Sequence, residues 1–85
     1  MNEVPLVTLY GRPGCHLCDE ARDSLLAIRD RGLRFRLQEV DIEGDEDLHR
    51  EMLEAIPVVD VDGVRVSELI FDEGAVLARI GTLSA

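Results

Sequence analysis

Two cysteines separated by two residues, Cys15 and Cys18, are the side chains of this sequence best suited to chemistry. Cys15 follows Pro13-Gly14, a turn-forming pair, and begins a segment with helical periodicity. The first N–H groups of a helix lack partners and carry about half a positive charge, which stabilises an anion. A cysteine in such a place has its pKa lowered from about 8.5 to between about 3.5 and 7.5. We therefore expect Cys15 to be a nucleophilic thiolate at neutral pH.

Cys18 lies one helical turn after Cys15, near enough to form a disulfide with it and shielded from bulky substrates by the helix. Attack of Cys15 on a substrate disulfide would give a mixed disulfide, and attack of Cys18 on that bond would release the reduced product. The pair is therefore expected to be catalytic, with Cys15 as nucleophile and Cys18 as resolving thiol.

Two charged or titratable neighbours are candidates for tuning the Cys15 thiolate. A protonated His16, adjacent to Cys15, would lower the pKa of that thiol further. Arg12, three residues earlier, would place a positive charge near the thiolate or near an anionic substrate. The alternative for both side chains is an ordinary exposed position.

Two other interpretations of the cysteines remain open at this stage. Cys15, Cys18, His16 and His49 could supply four zinc donors, although structural zinc sites usually pair two ligand clusters and His49 stands alone among acidic residues. The cysteines could also be inert core residues, although a cysteine after Pro13-Gly14 should be exposed. We expect no metal.

Composition limits the class of protein. A chain of 85 residues that is 46% hydrophobic is long enough for one cored domain, here residues 1–85. Its net charge of −9 would repel nucleic acid and anionic lipid, so neither is an expected partner. Residues 1–5 carry no basic region before an apolar run, and no stretch suits a membrane span, which predicts a cytoplasmic protein. In that compartment, paired cysteines indicate catalysis or metal binding rather than a structural disulfide.

Hydrophobic periodicity predicts the elements that position the cysteines. Residues 4–10 form a buried strand and residues 15–31 a helix ended by Gly32, because their apolar positions follow those two periods. Alternation of Leu33, Phe35 and Leu37 with polar residues predicts an edge strand. Asp45 is expected to cap a short helix that carries Leu48, Met52 and Leu53 and is stopped by Ile56-Pro57.

The last third of the chain predicts a hairpin and a helix. Two apolar runs flank Asp62-Gly63, which favours a type I′ turn. Asp72 is expected to cap a helix carrying Val76, Leu77 and Ile80, with Arg79 in its last turn and Gly81 at its C-terminal cap. The order strand, helix, strand, helix, strand, strand, helix is that of the thioredoxin fold. We expect an α/β domain with a mixed four-stranded sheet of order 2-1-3-4 and strands one and two parallel.

These residues resemble those of glutaredoxins, in particular small bacterial glutaredoxin-like proteins. The segment from Tyr10 to Cys15 is similar to the family's aromatic residue, turn and basic residue before the first cysteine, and Ala55-Ile56-Pro57 is similar to its loop ending in a cis-proline. The resemblance implies a cis Ile56–Pro57 bond facing the Cys15 sulfur. It also implies that the Ile56 backbone is free to pair with an extended substrate, as one added strand residue.

The same resemblance implies that Tyr10, Ile56, Pro57 and Asp72 contact the substrate, with Asp72 in the place of the family's acidic glutathione-binding cap. Departures from the family pattern are His16-Leu17 between the cysteines, Ala55 for a threonine, and Ser67-Glu68 where the family has a glycine pair. Thioredoxins carry a buried acid six residues before the first cysteine, where this chain has Leu9. Without that acid, deprotonation of Cys18 must use solvent or another group.

The sequence therefore predicts a monomeric thiol-disulfide oxidoreductase that acts on a disulfide in a protein or a small molecule. Its electron donor would be glutathione or a reductase, and no cofactor is expected to be tightly bound. The main alternative is a thioredoxin-fold binding module that holds a partner in the Ile56-Pro57 groove without turnover.

Overall fold

The computed structural model describes residues 4–84. Within that range, four strands and three α-helices follow one another in the predicted order, together with one 3₁₀ turn. Their bounds are β1 (Leu6–Gly11), α1 (His16–Asp30), β2 (Arg36–Asp41), the 3₁₀ turn (Ile42–Gly44), α2 (Glu46–Met52), β3 (Val58–Val61), β4 (Val64–Glu68) and α3 (Glu73–Ser84). Residues 1–3 and 85 lie outside the described range. The predictions made from the N-terminal residues 1–5 and for one domain over residues 1–85 therefore extend beyond it.

The strands form one mixed sheet in the order β2-β1-β3-β4, which confirms the predicted α/β architecture. β1 is parallel to β2 and antiparallel to β3, and β3 is antiparallel to β4. The ends of β1 and β2 and the start of β3 therefore lie at one edge of the sheet, which we call the site edge. The α1 helix begins just beyond β1, so its N-terminus also lies there.

Helices cover both faces of this sheet. Residues that alternate along β1 and β3 point to one face, where they pack with α1 and α3 in a core formed by Val7, Leu9, Ala21, Leu25, Ile28, Phe35, Val59, Val61, Val76 and Ile80. On the opposite face, Val58 packs with Ile42 and Met52, so that α2 closes this side. Burial of each large aliphatic side chain contributes about 1.5–3 kcal/mol, which holds the helices against the strands.

The hairpin between β3 and β4 has the predicted turn. Asp62 and Gly63 have φ angles of 49° and 82°, the left-handed values that a type I′ turn requires at both central residues. The Asp62 carboxylate also accepts a hydrogen bond from the Leu6 N–H at 2.8 Å. The turn therefore sets the pairing of Val61 with Val64 and is tied to the start of β1, while the register shifts further along the hairpin, between Val59 and Asp60.

Two predicted boundaries in the middle of the chain were wrong. β2 begins at Arg36 rather than Leu33 because the Leu33 N–H still bonds to the Ile28 carbonyl, completing the end of α1. Asp45 caps α2 as predicted, its Oδ1 accepting from the N–H groups of residues 47 and 48. That helix ends at Met52, however, and leaves Leu53 exposed, well before Ile56-Pro57.

The predicted end of the last helix was also wrong. Asp72 caps α3, its Oδ1 accepting from the Ala75 N–H at 3.0 Å. The helix then continues through Gly81 to Ser84, so Gly81 is not a cap, Arg79 is not in the last turn, and Leu77 is exposed. A glycine inside a helix costs about 1 kcal/mol, which the continued helical hydrogen bonds offset. No helix among residues 4–84 is both long and apolar enough to span a membrane.

Candidate functional site

Cys15 is the N-cap of α1, the place predicted for the nucleophile. Its backbone is extended, with φ −90° and ψ 106°, and its Sγ accepts a hydrogen bond from the Cys18 N–H at 3.2 Å. Its own N–H donates to the Arg12 carbonyl at 3.3 Å, which holds the preceding turn. The side chain is only partly buried. A thiolate at this atom would receive both the N–H hydrogen bond and the positive end of the helix dipole.

Cys18 is joined to Cys15 by a disulfide, with their Cα atoms 5.2 Å apart. Only 6% of Cys18 is exposed, because the residue packs among Ile42, Met52 and Val58. The two sulfurs therefore differ in access, since a substrate can reach Cys15 from solvent while Cys18 lies beneath it.

Gly11 has a role in this arrangement that the sequence did not reveal. A Cβ at this position would lie 3.0 Å from the Cys18 Sγ and 3.1 Å from the Cys18 Cβ. Glycine is thus the residue that lets the start of α1 pack directly against the end of β1. The φ angle of Gly11 is not left-handed, so the close approach of Cys18, and not a turn conformation, is what requires glycine here.

Pro57 and its neighbours form the other wall of the site. The Ile56–Pro57 peptide bond is cis, and Pro57 is fully buried just before β3 at the site edge. Ile56 belongs to the apolar cluster that also contains Cys18, and Tyr10 and Cys15 pack against that cluster. The fold thus brings Tyr10 and Ile56, two of the residues predicted to contact the substrate, together with the disulfide.

The expectation that the Ile56 backbone is free was wrong for its N–H. That group donates to the Met52 carbonyl at 3.0 Å, closing the turn after α2. Within residues 4–84, the Ile56 carbonyl accepts no hydrogen bond. Only the carbonyl is therefore available to pair with an extended substrate.

Asp72 lies in a loop that is tied to the Pro57 wall. The Leu69 N–H is shared between the Ala55 and Pro57 carbonyls, at 2.9 and 3.0 Å, which holds residue 69 at the site edge. Ser67, which the sequence analysis noted only as a departure from the family's glycine pair, is buried, donates to the Ile70 carbonyl and accepts from the Asp72 N–H at 2.9 Å. Both the N–H and one carboxylate oxygen of Asp72 are consequently used within the protein.

Arg12 and His16 both lie on the surface next to the disulfide. His16 has a side chain that is 88% exposed, with its Nε2 3.3 Å from Glu20 Oε2 one turn along α1. Arg12 is exposed in the turn between β1 and α1 and lines a cavity of about 370 Å³ that reaches Cys18. His49 lies on α2 beside a separate surface depression. Within residues 4–84, no group of three or more His, Cys, Asp and Glu side chains is arranged to hold a metal.

Comparison with known protein families places this geometry in a defined group. The model of the glutaredoxin-like domain (DUF836) matches residues 6–81, which include both cysteines, the cis-proline and the Asp72 loop.

Solved structures are similar over nearly the whole chain. Protein Ne2328 from Nitrosomonas europaea, determined in solution, is 28% identical, with a TM-score of 0.80 over 93% of this chain and 94% of its own. Protein XcR50 from X. campestris is 30% identical, with a TM-score of 0.68 over 89% and 96% of the two chains. A thioredoxin variant from Halobacterium salinarum is 15% identical and has a TM-score of 0.69 over 96% and 76%, which shows a shared thioredoxin fold.

Proposed function

The chain belongs to the family of glutaredoxin-like domains, and we propose that it is a dithiol oxidoreductase that reduces disulfides. The observation that carries this proposal is the difference in exposure between the two bonded cysteines at the start of α1. Cys15 is partly exposed and its sulfur accepts a hydrogen bond from the Cys18 N–H, whereas Cys18 is buried directly behind it. That is the arrangement required for one attacking and one resolving thiol.

In the first step, the Cys15 thiolate attacks one sulfur of a substrate disulfide. A Cys15–substrate disulfide forms, the substrate bond breaks, and the second substrate sulfur leaves as a thiolate. The Cys18 N–H and the α1 dipole stabilise the attacking anion before the reaction. Arg12 and His16 are proposed to add positive charge near this anion, an effect that solvent and the Glu20 carboxylate weaken for His16.

In the second step, Cys18 attacks the Cys15 sulfur of the mixed disulfide. The Cys15–Cys18 bond forms, the remaining substrate sulfur leaves as a thiolate, and the proton of Cys18 passes to a base. Two electrons have then moved from the dithiol to the substrate. An electron donor, which we propose to be glutathione or a reductase, returns the protein to the dithiol.

We propose that the substrate lies between Tyr10 and the Ile56-Pro57 wall. The uncommitted Ile56 carbonyl would accept one backbone N–H from an extended segment. Two exposed apolar side chains suit a disulfide within a polypeptide: Leu17, between the cysteines, and Leu69, whose N–H bonds to the Pro57 carbonyl. Asp72 is weaker support for glutathione as a ligand, because its N–H and one of its carboxylate oxygens already bond to Ser67 and Ala75.

The test compares reduced wild type with Cys15→Ser and Cys18→Ser in single turnover with bis(hydroxyethyl) disulfide. Wild type should end as the Cys15–Cys18 disulfide with little adduct. Cys18→Ser should accumulate a mixed disulfide on Cys15, and Cys15→Ser should leave the reagent almost unreacted; mass spectrometry identifies each species.

Two outcomes would contradict the proposal. Equal reaction of wild type and Cys15→Ser would exclude Cys15 as the nucleophile. If reduced wild type did not react with the reagent, the protein would not be an oxidoreductase of this kind, and the alternative of a binding module without turnover would be favoured. Mixing oxidised protein separately with glutathione and with a thioredoxin-reductase system then identifies the electron donor.

A further inference from the structure

A cavity of about 370 Å³ reaches the resolving cysteine from the side of the sheet that α1 covers. It lies where β1 and β2 end, beneath the first turns of α1. Its walls contain Cys18 together with two arginines and three acidic residues, namely Arg12, Arg22, Asp19, Glu39 and Asp41. Cys18 is therefore shielded from the substrate side yet borders a polar space.

The resolving step creates a need for a base in this region. Cys18 packs among apolar side chains, and such burial disfavours the thiolate that must attack the mixed disulfide. β1 supplies no proton acceptor to the cavity, because its lining residues there are Leu9 and Gly11. Any acceptor within the cavity must come from α1 or from β2.

Strand register places Asp41 on the side of the sheet where Cys18 packs against Gly11. Asp41 is the partner of Gly11 in the parallel pair of β1 and β2, and neighbouring strands are about 4.8 Å apart. The Cys18 Sγ lies only 3.0 Å from the position of a Cβ on Gly11. Partners in register project to the same face, so the Asp41 side chain starts about one strand spacing from the Gly11 position that Cys18 contacts, and both residues line the same cavity. One water, which occupies about 30 Å³ in the liquid, would fit between them in this cavity.

Ion pairing distinguishes Asp41 from the other two acids. Arg22 lies 3.6 Å from Asp19 Oδ1 and 3.7 Å from Glu39 Oε1, so both carboxylates share one guanidinium. Among residues 4–84, no cationic nitrogen lies within 4.0 Å of the Asp41 carboxylate. One of its oxygens accepts from the Glu43 N–H at 2.9 Å, which fixes the side chain and leaves the second oxygen for a proton.

We propose that Asp41, acting through one water in this cavity, accepts the proton of Cys18 when the mixed disulfide is resolved; this inference rests on the proposed function. The Cys18 S–H bond breaks, its proton moves through the water to Asp41, and its electron pair forms the bond to the Cys15 sulfur. The Cys15–substrate bond breaks and the substrate sulfur leaves as a thiolate. The proton on Asp41 then returns to solvent through the open side of the cavity.

The charged groups that face this transfer come from three elements. Arg12 in the turn and Arg22 on α1 bring positive charge, which favours the developing Cys18 thiolate. Asp19 and Glu39 bring negative charge, which their shared guanidinium offsets. His16 and Glu20 form their pair on the exposed side of α1, away from the sheet. The arrangement supports proton transfer toward β2 rather than toward the substrate side.

The experiment measures the two chemical steps separately with dithiobis-nitrobenzoate as the probe. Reduced protein and less than one equivalent of reagent release the coloured thiolate twice, first by attack of Cys15 and then by resolution. In Asp41→Asn, the first phase should keep its rate, and the second should slow by about a hundredfold at neutral pH, the lower end of general base effects. Asparagine also keeps the oxygen that accepts from Glu43, so the fold is retained.

The dependence of the second phase on pH distinguishes a proton acceptor from a structural role. In wild type and in Asp41→Glu, this rate should change little between about pH 6 and about pH 8. In Asp41→Asn it should rise about tenfold per pH unit, because hydroxide replaces the missing base. Asp45→Asn is the matched control, because Asp45 also accepts N–H groups at a helix start and carries the same charge, but it does not line the cavity.

Each result decides one claim. If reduced wild type showed no first phase, Cys15 would not attack the reagent, and the proposed function itself would be refuted. A normal first phase with an unchanged second phase in Asp41→Asn would refute the role of Asp41 alone. A loss in Glu39→Gln with Asp41→Asn unaffected, or an equal loss in Asp45→Asn, would likewise overturn the assignment.

Discussion

Replacement of Gly11 by alanine tests the close packing of Cys18 on β1. The added Cβ would lie 3.0 Å from the Cys18 Sγ, whereas carbon atoms in ordinary contact stay about 3.5–4.0 Å apart. Cys18 cannot easily retreat, because it is bonded to Cys15 and packed against Ile42 and Val58. Overpacking of this kind costs about 1–3 kcal/mol.

The net loss is smaller than the overpacking cost alone. Alanine is better than glycine within a strand by roughly 0.5–1 kcal/mol. The middle of this range, subtracted from about 2 kcal/mol of overpacking, leaves a destabilisation of about 1.2 kcal/mol. For a domain of this size each kcal/mol shifts the Tm by about 4–8 °C, so Gly11→Ala should lower the Tm by about 5–10 °C.

Thermal melting by circular dichroism measures this change, and Gly81→Ala is the matched control. Gly81 lies within α3, and among the described residues nothing would lie within 4 Å of its added Cβ. The same substitution there should raise the Tm, because alanine is favoured over glycine in a helix by up to about 1 kcal/mol. A Tm for Gly11→Ala within about 2 °C of wild type would show that Cys18 is free to move, and the packing argument would be wrong.

Two further predictions concern the first residues of α1 and α3. In the reduced protein, Cys15 should show a pKa below the ordinary thiol value of about 8.5 and Cys18 a higher one, so alkylation below that pH should modify Cys15 alone and accelerate as pH rises through the Cys15 pKa. If alkylation of Cys15 depended on pH as it does for a free thiol, the start of α1 would not stabilise the Cys15 thiolate. Asp72→Ala should lower stability by about 1 kcal/mol through loss of the α3 cap, and Asp72→Asn should not, because asparagine caps equally well. Equal melting temperatures for the two variants would show that the Asp72 cap contributes nothing.

Local patterns in the sequence were enough to predict much of the fold. The type I′ turn at Asp62-Gly63 depends on two residues that tolerate positive φ, and the Asp45 and Asp72 caps depend on a side chain and the N–H groups two or three residues later. The place of Cys15 at a helix start follows from Pro13-Gly14 and the periodicity after it. Each of these is an interaction between near neighbours in the chain, so the residues that decide it are visible together.

The tertiary structure alone decided how the site is completed. The Ile56 N–H is bound to Met52, and the Asp72 N–H is bound to Ser67, through turns whose exact closure no periodicity reports. Asp41 and Cys18 line one cavity only because β2 pairs with β1 in one register, with Asp41 opposite Gly11. A shift of that register by one residue would turn the carboxylate to the other face of the sheet. Sequence pattern predicts which residues are buried and in which element, but the atoms that meet across elements depend on register and packing, which the whole fold determines.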